Sequence, residues 1–95
     1  MHRVHLVIEG RVQGVGFRYF VLRRAQSLKL NGWVCNRPGG VVEVEAEGER
    51  DSIERLVGFA REGPPSSCVS HVLERWSESA ARHDRFVIRS EPADP

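Results

Sequence analysis

The residues Gly10-Arg11-Val12-Gln13-Gly14-Val15-Gly16-Phe17-Arg18 combine the types that hold an oxyanion. Three glycines fall within seven positions, and glycine's tolerance of positive φ lets successive backbone N–H groups converge on one point. A strand pattern leads into the stretch and a helix pattern leads out of it. The helix N-terminus would add unpaired amide donors and the positive end of its dipole. Arg18, at the junction, offers a planar two-donor fork that suits phosphate. The stretch is not a Walker A loop, because no Gly-Lys-Ser/Thr follows. Nor is it the dinucleotide fingerprint, because Tyr19 stands where the third glycine belongs. The physics reaches anion binding and stops there, since a plain glycine-rich turn with a surface arginine has the same composition.

Other chemistry-bearing residues are less organised. His2, His5, His71 and His83 show no metal-ligand spacing with one another or with a cysteine, so no metal site is expected. No serine occupies a Gly-x-Ser-x-Gly elbow. Glu43, Glu45 and Glu47 alternate with Val42, Val44 and Ala46, and such a carboxylate row is expected to solvate the outer face of a sheet. His5 is expected on that same solvated face. Trp33, Trp76 and Phe86 read as packing residues.

The elements that must position the loop follow from periodicity. Arg3 to Glu9 alternates, with Val4, Leu6 and Ile8 on one side, and predicts a strand. Phe17, Val21, Ala25 and Leu28 recur at helical spacing and predict a helix ended by Asn31-Gly32. A strand over Gly32 to Arg37, a turn at Pro38-Gly39-Gly40 and a strand over Val41 to Glu47 follow. A second helix opens at Asp51, whose spacing to Glu54 is that of a capping box. It carries Ile53, Leu56, Val57 and Ala60 as its apolar stripe and stops at Gly63-Pro64-Pro65. Val69 to Ser77 predicts a fourth strand, and Phe86 to Arg89 a short last one. Two helices with one-sided apolarity need one sheet face to cover. The expected fold is therefore α+β: a ferredoxin-like βαββαβ two-layer sandwich, its antiparallel sheet carrying both helices on one face, plus the short C-terminal strand.

Ninety-five residues, 40% apolar and 28% charged, suffice for one two-layer core and no more. The expectation is a single domain over 1–95, with its core over about 3–90 and a frayed Pro-rich tail over 91–95. A net charge of +1 provides no global field toward nucleic acid or anionic membrane, so any anion binding must be local. No signal peptide and no apolar run long enough for a membrane helix is visible, and a cytoplasmic location is the expectation. Cys35 and Cys68 are then expected as free thiols.

The stretch 10–18 resembles the signature of the acylphosphatase family over its full length. So does a second stretch, Gly32-Trp33-Val34-Cys35-Asn36 followed by Gly40-x-Val42-Glu43-Val44. The similarity continues through Gly48, Gly63-Pro64-Pro65-Ser66-Ser67 and Phe86-Val87-Ile88-Arg89, and spans roughly residues 4 to 89. The resemblance implies a hydrolase of small acyl phosphates that uses no metal or organic cofactor; a monomer is expected from the size of the chain alone. It implies that Arg11, Val12, Gln13, Gly14, Val15, Gly16, Phe17 and Arg18 bind the phosphoryl group through backbone amides and the Arg18 guanidinium. It also implies that Arg18 and Asn36 are catalytic, Asn36 by orienting the attacking water. From residue type alone, Asn36 is only a polar residue near a strand end.

Four features depart from the family pattern. Lys29 follows Leu28 where glycine is usual, which costs stability if that position needs φ > 0. Cys35 replaces a basic residue, Pro38-Gly39-Gly40 replaces an Asp-Gly turn, and Cys68, Ser70 and His71 replace a more charged pattern. Three other functions fit the predicted fold. An RNA-binding sheet is opposed by the glutamate row and the lack of an aromatic run. A carbamoyl-phosphate domain of a larger maturation protein would normally be followed by zinc-finger sequence. A phosphate sensor would keep the loop without turnover.

Overall fold

The computed structural model describes residues 1–78 and 80–90. The elements are β1 (His2–Arg11), α1 (Phe17–Ser27), β2 (Asn31–Asn36), β3 (Val42–Gly48), α2 (Arg50–Glu62), β4 (Cys68–Glu78) and β5 (Phe86–Ile88). They form one five-stranded sheet in the order β4-β1-β3-β2-β5. The first four strands pair antiparallel, as expected, and β5 adds a parallel pair with β2, so the complete sheet is mixed.

Alternation decides which side of the sheet is covered. Val4, Leu6 and Ile8 of β1, Val34 of β2, and Val42, Val44 and Ala46 of β3 are all fully buried. They meet Phe17, Val21 and Ala25 of α1 and Ile53, Leu56, Val57 and Ala60 of α2 in a single apolar cluster. Burial of this size is the main favourable term in folding, at roughly 25 cal/mol per Å² of apolar surface.

The helix ends differ from the sequence expectation. α1 stops at Ser27, and the amides of Leu28, Lys29 and Leu30 donate to the carbonyls of Arg24, Gln26 and Ala25. That closing turn holds Lys29 at φ +59, the left-handed conformation that makes glycine the usual residue there. α2 is entered through Glu49, not Asp51, and no side chain caps it. Asp51 lies in the first turn, where its charge complements the helix dipole.

The second correction concerns the open face. Glu47 does not solvate the sheet: it is 1% exposed. Its Oε2 accepts from Arg3 at 2.8 Å, and its Oε1 accepts the backbone amides of Arg82 and His83 at 2.8 and 2.6 Å. Arg3, itself 5% exposed, also donates to the Ala80 carbonyl. His83 and Arg82 reach Glu45, while His5 and Arg37 reach Glu43. The carboxylate row is thus an anchor that draws the β4–β5 connection back over the sheet. Trp33 belongs to this face as well, edge-on to His5 and beneath the Arg89 guanidinium.

Candidate functional site

Sheet topology alone brings the two motifs to one place. β1 and β2 each run antiparallel to β3, so they run parallel to each other and end at the same edge. Ile8 and Asn36 both face Val42, which puts them in one row across three strands, about 10 Å apart at twice the interstrand spacing. The loop after β1 begins just beyond that row and has the width of one strand to cross toward Asn36.

Loop residues alternate between anchoring and exposure. Val12 and Phe17 are buried, and Val15 packs against the same core. These three side chains leave only their backbone to a ligand. Gly14 and Gly16 lie between them at φ +73 and +81, and a Cβ at either would meet no atom within 4 Å. Their requirement for glycine is therefore one of backbone conformation, facing open space. Among the described residues, no protein group accepts from the amides of Gln13, Gly14, Val15 or Gly16. Arg11 is the last residue of β1, exposed and paired with Cys68, at the entrance to the loop.

Arg18 stands in the first turn of α1, half-buried. Among the described residues it makes no ion pair, and no acidic residue shares that turn. A cation at the positive end of a helix dipole is unfavourable by about 0.3–1 kcal/mol, so the placement gains only when an anion arrives. The surrounding sequence has the same sign. From Gly10 to Val42 there are six Lys or Arg and no Asp or Glu, in a chain of net charge +1. That imbalance was readable in the sequence without any motif.

Asn36 ends β2 with its Oδ1 buried and without a hydrogen-bond partner among the described residues. A buried unpaired acceptor costs about 1–3 kcal/mol and calls for an explanation. Its neighbour Cys35 is buried and Cys68 is exposed, both as free thiols. A separate groove of about 470 Å³ runs along α1 past Tyr19, Phe20, Arg23, Arg24 and Ser27. It touches the loop only at Gly16, and neither Arg18 nor Asn36 lines it.

One residue that the motif supplied only for its amide has a second contact. The Gln13 side-chain Nε2 donates to the carbonyls of Arg37 and Val41, each at 2.8 Å.

Comparison with known proteins gives consistent results. A family model described as acylphosphatase matches residues 4–88. A protein named acylphosphatase from Salinibacter ruber is 46% identical over 87 residues, covering 92% of each chain. The crystal structure of acylphosphatase from Bacillus subtilis superposes with a TM-score of 0.91 at 43% identity, over 94% of this chain and 99% of that one. The structure of HypF from Thermococcus kodakarensis matches 95% of this chain with a TM-score of 0.81 at 28% identity, but the match covers 12% of that chain. Among the described residues, no helix is long and apolar enough to cross a membrane. With the match running across both motif strands and the loop between β1 and α1, the chain belongs to the acylphosphatase family.

Proposed function

We propose that the chain hydrolyses small acyl phosphates to carboxylate and inorganic phosphate, with Arg18 and the amides of Arg11 to Arg18 holding the phosphoryl group and Asn36 orienting the attacking water. The observation that carries the residue roles is the buried, unpartnered Oδ1 of Asn36, one strand across from a loop of unused amides. That oxygen can accept a hydrogen bond from water and point one of its lone pairs at phosphorus.

The chemistry asks little more of the site. Water's oxygen forms a bond to phosphorus while the bond from phosphorus to the acyl oxygen breaks. The leaving carboxylate has a conjugate acid of pKa about 4, so it departs without needing a proton from the protein. Water's proton passes to a phosphate oxygen. What remains is positioning and charge stabilisation, which the loop amides and Arg18 supply. Alkyl phosphate esters leave as alkoxides, and the proposed residues include no acid to protonate one.

We assign the reaction no metal or cofactor and the working form a monomer in the cytoplasm with no nucleic acid partner. The proposed single domain spans 1–95. Hydrolysis of benzoyl phosphate by the purified protein in excess chelator tests the reading. Undiminished turnover is expected. Turnover abolished by chelator would refute the metal-free mechanism, and no turnover under any condition would favour a phosphate sensor.

A further inference from the structure

We propose that Gln13 is a positioning residue that locks the phosphate loop to the hairpin carrying Asn36, so that the cradle and the water site are set in one register. The inference rests on the reading of Asn36 given above. Three observations lead to it.

The first is the placement of the contact. Arg37 and Val41 are the pair that closes the β2–β3 turn, with the Arg37 amide donating to the Val41 carbonyl at 2.9 Å. They lie one step beyond the last ladder pair, Asn36 with Val42. The two N–H bonds of Gln13 take one carbonyl from each side of that turn. The second is the need for such a contact. The turn is Pro38-Gly39-Gly40, with both glycines at left-handed φ, +94 and +85, and all three residues exposed. A turn of this composition has little of its own to hold the end of β2 in place. The third is the origin of the clamp. Gln13 lies between Val12, buried in the core, and Gly14, where an added Cβ would meet no atom within 4 Å. Its backbone belongs to the cradle while its side chain grips the neighbouring hairpin.

The catalytic consequence is geometric. Among the described residues, Asn36 has no hydrogen bond of its own to fix its oxygen. Sheet pairing sets the hairpin beside β1 as far as the row Ile8–Val42–Asn36, and beyond that row Gln13 ties the end of the hairpin to the loop. A displacement of about 1 Å at a reacting centre can cost about 10²-fold in rate. Phosphate affinity depends on the loop amides and Arg18, which the clamp does not touch directly.

The test is a double-mutant cycle on benzoyl phosphate hydrolysis, using Gln13→Met and Asn36→Ala. Methionine keeps the length of the side chain and removes both donors. The expected result for Gln13→Met is a fall in kcat of about ten- to a hundredfold, with KM and inhibition by inorganic phosphate within threefold of wild type. In the Asn36→Ala background, Gln13→Met should cost less than threefold, because the residue it positions is gone. A KM rise with unchanged kcat would overturn the proposal and make Gln13 a ligand contact. Additive losses in the double mutant would overturn it in favour of a general structural role. Gln13→Glu guards against a folding defect in the methionine variant. Its ionised carboxylate would face two carbonyl oxygens, and its protonated form would regain one donor. Its kcat, taken relative to wild type at each pH, should rise at least tenfold on acidification, and a pH-independent ratio would refute the clamp. The two readings fail differently. Wild type without turnover removes the active-site reading and the clamp with it, whereas active wild type with unimpaired variants removes only the clamp.

Discussion

Replacing Asn36 by leucine should cost activity without costing stability, and two numbers from one preparation decide it. Most buried polar residues are held in networks, so truncating them destabilises the fold. The Asn36 Oδ1 is buried with no partner among the described residues, so the folded protein already carries its desolvation cost. That cost is about 1–3 kcal/mol. Leucine has the same number and branching of heavy atoms and no polar atom, so it removes the penalty and keeps the shape of the side chain, with somewhat bulkier ends. The expected change is between no effect and about 2 kcal/mol of added stability. In a domain of this size 1 kcal/mol moves Tm by about 4–8 °C. Turnover should fall by about 10²–10³, the usual cost of losing one group aimed at such a reaction centre. Thermal unfolding followed by circular dichroism and benzoyl phosphate hydrolysis give the two readings. A Tm at or above wild type with a hundredfold loss of kcat is the expected pair. A Tm lowered by more than 5 °C would show that Asn36 is a structural residue. Turnover within fivefold of wild type would refute its role with water.

Three further outcomes follow from the same geometry. Arg18→Ala should leave Tm unchanged or slightly raised, because a cation leaves the positive end of α1. The variant should also lose both turnover and the phosphate-dependent rise in Tm expected of wild type. Lys29→Gly should raise stability by about 0.5–1 kcal/mol, measured by urea unfolding, because φ is +59 there and glycine adopts it without strain. Glu47→Gln should lose about 3–5 kcal/mol, since one carboxamide face must oppose either Arg3 or the amides of Arg82 and His83. It should also flatten the acid limb of stability. Burial pushes the Glu47 carboxyl up, but the hydrogen bonds from Arg3, Arg82 and His83 and the charge of His83 together hold it below its ordinary 4.5. The folded state therefore binds fewer protons than the unfolded one. Its contribution is fully present above about pH 4.5 and is lost as pH falls through the lowered folded value. Glu74, held low by Trp76 and Arg61 against burial, keeps a share of that limb in the variant.

The parts of the fold that sequence periodicity reveals are those set by neighbours along the chain. The stripes Val4-Leu6-Ile8, Phe17-Val21-Ala25 and Ile53-Leu56-Val57-Ala60 are each local, and each meets the common core. The glutamate row shows where that logic ends. Alternation correctly places Glu43, Glu45 and Glu47 on the face opposite the helices, yet says nothing about what returns to cover it. The covering segment lies some 35 residues further along the chain, at Arg82 and His83, so local pattern could not have distinguished a solvated carboxylate from a buried anchor. The same holds for Gln13, whose partners are 24 and 28 positions away. The candidate site divides the same way. Its glycines and arginine are contiguous and legible, the acid-free span around them could be counted, and Asn36 emerges only through resemblance.

Why so small a site is sufficient can be argued from what its residues lack. A guanidinium and a carboxamide are not proton donors for catalysis near neutral pH, so neither side chain can deliver a proton on demand. For most phosphate compounds that would be disabling. For an acyl phosphate it matters little, because the leaving carboxylate is already a stable anion. The protein then has two tasks, which are to neutralise the phosphoryl oxygens and to present water in line. The first needs donors fixed in advance, and Val12, Val15 and Phe17 would fix them by packing against the core at three points of the loop. The second needs a neutral acceptor held at a set distance, and Asn36 sits across a single intervening strand. Both tasks depend on rigidity rather than on titration. The rate should therefore stay flat across neutral pH and fall only where the substrate's own phosphate ionises or the fold loses its Glu47 anchor. A pH–rate profile with an essential enzyme base near neutrality would contradict this division of labour.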